Sequence, residues 1–96
     1  MIRRVVIRPD AEQEINHAAD WYEERKPGLG GEFIGAVIAV LDNIERHPRS
    51  QPIVRGRVRR ALLPRFPYGV FYAEENSVIV ILACLHARRS PRRWPS

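Results

Sequence analysis

Apolar side chains recur every three or four positions in two segments of the chain, which predicts two amphipathic helices. The first segment runs from residue 9 to about residue 25, and its apolar face comprises Ala11, Ile15, Ala18 and Tyr22. The second segment ends near residue 47, and its apolar face comprises Phe33, Val37, Val40, Leu41 and Ile44. Residues 26–31 contain one proline and three glycines. They predict a short turn, so the two helices should be antiparallel neighbours.

Runs of β-branched and aromatic residues predict short strands on either side of the helices. One strand is expected at residues 2–8, before the first helix, whereas residues 49–56 are polar and typical of turns. Three further strands are expected at residues 58–63, 68–72 and 78–85, the last two joined as an antiparallel hairpin by a turn at residues 74–77. The last strand is almost continuously apolar, which predicts burial on both faces and a central place in the sheet.

The order strand, helix, helix, strand, strand, strand predicts an α+β fold, β-α-α-β-β-β. It combines an N-terminal strand, an antiparallel helical hairpin and a three-strand antiparallel meander, with the helices packed on one face of the sheet. The length of 96 residues fits one domain, residues 1–96, with a basic C-terminal tail at residues 86–96.

Cellular location is suggested by the apolar runs and by the cysteine count. The longest apolar run has eight residues, whereas a membrane helix needs about 20, so no membrane association is expected. The single cysteine, Cys84, leaves no partner for an internal disulfide. This favours a cytoplasmic protein.

Charge is distributed unevenly along the chain. The 16 basic and 11 acidic residues give a net charge of +5, and all but one of the basic residues are arginine. Residues 1–45 hold five basic and nine acidic residues, whereas residues 46–96 hold 11 basic and two acidic ones. An arginine-rich half predicts an anionic partner, which could be nucleic acid, an acidic protein segment or an anionic membrane surface.

Several short motifs occur in an order that resembles a known family. They are Trp21-Tyr22, Pro27-Gly28-Leu29-Gly30, Phe33, Pro48, Arg59-Arg60, the heptapeptide FPYGVFY at residues 66–72, His86, Arg88-Arg89 and Trp94. Their joint order and spacing resemble the RelE/ParE superfamily of bacterial toxins, specifically its ParE-like, plasmid-stabilisation branch. The resemblance covers nearly the whole chain.

The resemblance implies a function as well as the fold predicted above. It implies the toxin of a type II toxin–antitoxin system that is neutralised by a cognate acidic, ParD-like antitoxin. It further implies that the toxin poisons DNA gyrase without catalysis of its own and without a cofactor, and that the antitoxin complex binds operator DNA. The other branch of the superfamily implies the alternative of a ribosome-dependent mRNA endonuclease of the RelE type. A non-toxic member that only binds an antitoxin is a third possibility.

The two toxic activities make different chemical demands. RNA cleavage without a metal needs a base for the 2′-hydroxyl, an acid for the leaving oxygen and a cation for the developing charge. In an alignment on FPYGVFY, Gly69 stands where the nuclease branch has a catalytic arginine, Leu62 lies near a lysine position and Trp94 lies near a terminal tyrosine. Arg88 remains as a cation and His86 as the acid–base candidate, because an unperturbed imidazole titrates near pH 6.5. The sequence therefore favours a non-enzymatic toxin, with His86 and Arg88 as the catalytic residues if the chain is a nuclease.

Binding of the cellular target is expected at the C-terminal tail. Guanidinium groups pair with phosphates and carboxylates, and a tryptophan provides an apolar anchor. The predicted target-binding residues are Arg88, Arg89, Arg92, Arg93 and Trp94.

Binding of the antitoxin is expected at the helices and at the strand that follows them. Trp21 should be exposed, because adjacent helical positions point about 100° apart and Tyr22 continues the apolar face. The predicted antitoxin-binding residues are Trp21, Arg57, Arg59, Arg60, Arg65 and Tyr68.

The remaining ionisable residues carry no predicted chemistry. Glu14, Glu23 and Glu24 are interpreted as solvated charges, and His17 as a surface residue. The histidines and the one cysteine lack the spacing of metal ligands, so no metal site is expected.

Overall fold

The computed structural model, which describes residues 4–88, confirms the α+β fold. Strand β1 is followed by helices α1 and α2 and then by four strands. The bounds are β1 Arg4–Ile7, α1 Pro9–Arg25, α2 Leu29–Arg46, β2 Ile53–Arg55, β3 Val58–Leu62, β4 Tyr68–Glu75 and β5 Val78–His86. Within residues 4–88, neither helix is long and apolar enough to cross a membrane.

Both helices form where the apolar periodicity predicts them. Pro9 opens α1, and the acidic Asp10 and Glu12 lie in its first turn, where carboxylates favour the helix dipole. The buried residues are Ala11, Ile15, Ala18 and Ala19 in α1, and Gly30, Phe33, Val37, Val40 and Ile44 in α2. The two helices approach closely at Gly30, where a Cβ atom would lie 2.6 Å from the Ala19 carbonyl oxygen.

The turn between the helices is shorter than predicted, because α2 begins at Leu29 rather than after Gly31. The Glu23 carboxylate at the end of α1 accepts the backbone N–H groups of Gly28 at 2.9 Å and Gly30 at 3.0 Å. It thus satisfies two amides at the start of α2, which have no partner within that helix. Glu23 is exposed, as expected of a solvated charge, and it has the additional role of capping α2.

The five strands form one mixed sheet in the order β1-β5-β4-β3-β2. β1 runs parallel to β5, and the other neighbours are antiparallel. The predicted hairpin of β4 and β5 is confirmed, and so is the interior position of β5. Its turn is tighter than predicted, because β4 extends to Glu75 and only Asn76 and Ser77, both with positive φ, connect the strands.

The prediction for residues 49–56 was wrong at one point, because Ile53–Arg55 form the short edge strand β2. It has only three residues, all of them exposed, so no alternation of buried and exposed positions marks it in the sequence. The main core lies between the helices and the sheet and includes Phe33, Tyr72 and Ile81. A smaller buried cluster on the other face contains Phe71.

Candidate functional site

A groove of about 730 Å³ lies between α1 and the C-terminal part of β5. Four residues predicted from the sequence to bind or act on other molecules line this groove: Trp21, Tyr68, His86 and Arg88. The sequence assigned them to different roles, so their meeting in one cavity is a result of the tertiary structure. The groove is accordingly the candidate functional site.

The groove exists because β5 is longer than its parallel partner. β1 pairs with β5 only as far as Ile7 and Ile81, whereas β5 continues to His86. Among residues 4–88, no other strand pairs with this edge of β5, and α1 lies beside it. The Glu14 carboxylate of α1 accepts the Cys84 backbone N–H at 2.9 Å. Glu14 is therefore not the solvated charge that the sequence suggested.

Aromatic rings form a wall at one end of the groove. The Tyr22 ring stacks on Phe33 with centroids 5.4 Å apart, and it meets Phe66 edge-on at 4.9 Å and Tyr68 at 6.2 Å. Burial, and secondarily the nearby Tyr68, raises the pKa of the Tyr22 hydroxyl. Tyr22 thus stays protonated at neutral pH, and the packed rings give the groove a firm apolar wall.

The predicted exposure of Trp21 is confirmed, since 48% of the residue is accessible. The Arg25 guanidinium lies 3.5 Å from the centroid of the Trp21 ring, and the Tyr22 ring meets it edge-on at 5.0 Å. Trp21 is therefore held in place before any partner arrives. A fixed, half-exposed tryptophan beside an arginine is typical of a binding surface.

His86 and Arg88 lie next to each other at the open end of the groove. The His86 Nδ1 atom accepts the Arg88 backbone N–H at 3.2 Å, and its ring lies 5.5 Å from that of Tyr68. A neutral imidazole that accepts at Nδ1 carries its proton on Nε2. In this arrangement the Nδ1 lone pair of His86 is engaged by the backbone of its own chain.

Cys84, which also lines the groove, is not a nucleophile. Burial, together with the nearby Glu14, raises the pKa of its thiol to about 12. The thiolate is the reactive form of cysteine, so Cys84 is unreactive at neutral pH. Across residues 4–88, no three His, Cys, Asp or Glu side chains are close enough to hold a metal ion.

The four arginines predicted to bind the antitoxin do not form one cluster with the groove. Arg57 pairs with Glu75 at 2.9 Å, and Arg65 pairs with Glu32 at 3.0 Å. Arg59 donates to the backbone oxygen of Gln51 at 2.6 Å.

The fourth arginine, Arg60, lies on the opposite face of β3 from Arg59, against Gly69 of the neighbouring strand. Its Nε atom is buried without a hydrogen-bond partner. The four arginines therefore lie at separate places, and their contact with an antitoxin stays a prediction.

The residues that line the groove differ from the predicted site residues in two ways. Arg89, Arg92, Arg93 and Trp94 of the predicted target-binding tail lie outside the described residues. Conversely, Glu14 and His17, which were not predicted as site residues, line the groove beside Trp21. Their spacing of three and four residues places Glu14, His17 and Trp21 on one face of α1. That spacing is the signal by which they could have been found.

Comparisons with known proteins agree with the fold. The chromosomal ParDE toxin–antitoxin system from P. aeruginosa superposes with a TM-score of 0.79 at 15% identity, covering 88% of this chain and 96% of that one. The toxin–antitoxin complex RelBE2 from Mycobacterium tuberculosis superposes with a TM-score of 0.59 at 16% identity, covering 90% and 99%. No curated protein matches the chain in sequence.

The sequence also matches a family described as the ParE toxin of the type II toxin–antitoxin system parDE, over residues 5–91. This match takes in both helices, strands β2 to β5 and all of β1 except its first residue. The chain therefore belongs to the ParE toxin family of type II toxin–antitoxin systems.

Proposed function

We propose that this toxin inhibits growth by poisoning DNA gyrase without catalysis of its own, and that an acidic, ParD-like antitoxin neutralises it by binding in the groove beside α1. The observation that carries the non-catalytic part is the chemistry of the groove. The His86 Nδ1 atom already accepts a hydrogen bond. The raised pKa values of the Cys84 thiol and the Tyr22 hydroxyl keep both groups protonated. These three groups are thus engaged or protonated, which favours a surface for binding over one for acid–base catalysis.

The antitoxin part of the proposal rests on the composition of the groove. Trp21, Tyr68 and Arg88 are residue types that dominate the energy of protein interfaces. Arg25 and Arg88 add positive charge at the edge of an apolar wall, which suits an acidic segment with apolar side chains. The RelBE2 structure is that of a toxin–antitoxin complex, which supports a partner of this kind.

The gyrase part of the proposal is supported by membership of the ParE family. We place target binding at Arg88 and the four tail residues Arg89, Arg92, Arg93 and Trp94. Arg88 lines the groove, so the antitoxin would cover part of the target-binding surface when it occupies the groove. Neutralisation by direct competition follows from this overlap.

Induced expression in a bacterial host, with reporters for DNA damage and for translation, tests the mechanism. Gyrase poisoning should arrest growth with a strong DNA-damage response, and co-expression of the antitoxin should relieve it. Arg88→Ala should weaken the arrest, whereas Arg46→Ala serves as control, because Arg46 is an exposed arginine on α2 away from the groove. Arrest with undamaged DNA would refute gyrase as the target, and the absence of any arrest would indicate a non-toxic member of the family.

A ribosome-dependent endonuclease of the RelE type is the second candidate, because His86 and Arg88 lie together at the mouth of the groove. Under this alternative, purified toxin would cleave mRNA on translating ribosomes, and His86→Ala and Arg88→Ala would each abolish the cleavage. Intact transcripts at toxin concentrations that trap gyrase on DNA would exclude it.

A further inference from the structure

The backbone amides of β5 alternate between β4 and the groove. The Ala87 N–H, just beyond the strand, donates to the Pro67 oxygen on the β4 side at 2.7 Å, whereas the Cys84 N–H donates to Glu14 on the other side. Because successive residues of a strand present their N–H and C=O groups to opposite sides, the amide of His86 points to the same side as that of Cys84. The groove therefore contains a strand edge as well as an apolar wall.

The Glu14 carboxylate lies where a neighbouring strand would place a carbonyl oxygen. β1 occupies this side of β5 up to Ile81, and one residue further on Arg8 still donates to the Ile81 oxygen at 3.1 Å. Beyond that point a side chain from α1 replaces the strand as acceptor. Glu14 thus satisfies an edge amide that would otherwise lack a protein partner, as edge strands require.

We propose that an extended segment of the antitoxin adds a strand to β5 in this groove and displaces the Glu14 carboxylate from the Cys84 amide. The inference rests on the proposed function for the identity of its partner and goes beyond it by assigning the mode of binding. The available edge, residues 82–86, is about 17 Å long at the usual rise of a strand. This length accommodates about five residues of the partner.

The residues that line the groove indicate the amino-acid composition of the antitoxin segment. Alternate side chains of an added strand point to opposite faces, so one set would contact Trp21 and Tyr68 while the other faces solvent. Arg25 and Arg88 lie at the rim of the groove, whereas its acidic lining group, Glu14, leaves when the strand binds. The occupant is therefore an extended segment in which apolar residues alternate with acidic ones.

Amide hydrogen exchange of the ¹⁵N-labelled toxin, alone and in complex with the antitoxin encoded beside its gene, tests this mode of binding. The amides of Cys84 and His86 should become at least about tenfold more protected in the complex. Ala83 and Leu85, whose amides point toward β4, provide the internal control and should change little. A nuclear Overhauser contact from the Cys84 amide to an antitoxin α-proton would establish the strand pairing directly.

Substitution of Glu14 provides a second, independent measurement. Glu14→Ala removes both the resident acceptor and a like charge, so the dissociation constant should fall about tenfold, as expected for loss of a competing charge-assisted hydrogen bond. Glu12→Ala on the same helix makes the same change of charge outside the groove and should alter affinity less than about twofold. An unchanged or weakened affinity for Glu14→Ala would count against displacement.

The outcomes separate this inference from the proposed function. A stable complex without new protection at Cys84 and His86 means that the antitoxin binds as a helix or elsewhere, and it overturns the added strand alone. Failure of the antitoxin to bind at all overturns the proposed function, and the inference with it. Each measurement uses the full chain, and the exchange experiment needs no substitution.

Discussion

Trp21→Ala tests whether the groove beside α1 is the antitoxin surface, because this substitution removes the most exposed aromatic side chain of its wall. A tryptophan presents up to about 250 Å², so an exposure of 48% leaves about 120 Å² for a partner to cover. At about 25 cal/mol per Å², this burial contributes about 3 kcal/mol to binding. The dissociation constant of the antitoxin complex should therefore rise about 100-fold.

The loss should be close to this full value because the ring is already ordered. Arg25 stacks on Trp21 at 3.5 Å and Tyr22 contacts it edge-on. Little conformational entropy remains to be lost on binding, so the burial is not offset by the usual cost of fixing a side chain. The same contacts mean that Trp21→Ala also lowers the stability of the free toxin, and urea unfolding must confirm that the variant is folded under assay conditions.

Isothermal titration calorimetry against the antitoxin measures the effect. Ile38→Ala is the matched control, since Ile38 is a large apolar residue with 60% exposure on α2 that does not line the groove. A loss of antitoxin affinity of less than about threefold for Trp21→Ala, or an equal loss for Ile38→Ala, would show that the antitoxin binds another surface.

Three further predictions concern the folded toxin itself. Glu23→Ala removes the acceptor of the Gly28 and Gly30 amides, so urea unfolding should show a loss of about 1 kcal/mol, as for other helix caps; an unchanged midpoint would contradict the capping role. Ser77→Gly should stabilise the toxin by about 0.5 kcal/mol in the same assay, because Ser77 has a φ of +65° that glycine adopts without strain; a lower stability would refute this. Because the pKa of the Cys84 thiol is raised from 9.0 to about 12, the folded state holds this proton more tightly than the unfolded state, so stability should fall as the pH rises from about 9 towards 12. Cys84→Ala should make that decline shallower, and parallel pH profiles for the two proteins would contradict the assignment.

Local patterns were sufficient for the helices and for the central hairpin. The spacing of Ala11, Ile15 and Ala18 fixes the buried face of α1, since helical periodicity is a property of consecutive residues. The apolar run of β5 likewise indicates an interior strand, and its pairing with β4 requires only a short connection.

Where the prediction was wrong, side-chain contacts and strand pairing that no apolar periodicity records decided the structure. The start of α2 depends on a side chain of α1, because Glu23 reaches forward to the Gly28 and Gly30 amides. β2 exists through its pairing with β3 rather than through its own sequence pattern. The arginines that are close in sequence separate because Arg59 and Arg60 point to opposite faces of one strand.

The sequence by itself determined the two helices and four of the five strands, the buried faces, the charge asymmetry and the resemblance to ParE toxins, because each of these is carried by residue types and short spacings. Only the tertiary structure decided that β5 extends beyond the end of β1 and that α1 lies beside the unpaired edge of β5. It thereby brought Glu14 to Cys84, 70 positions later in the chain, and Trp21 to His86. A strand's length relative to its neighbour depends on pairing across the whole chain, and no local period records it.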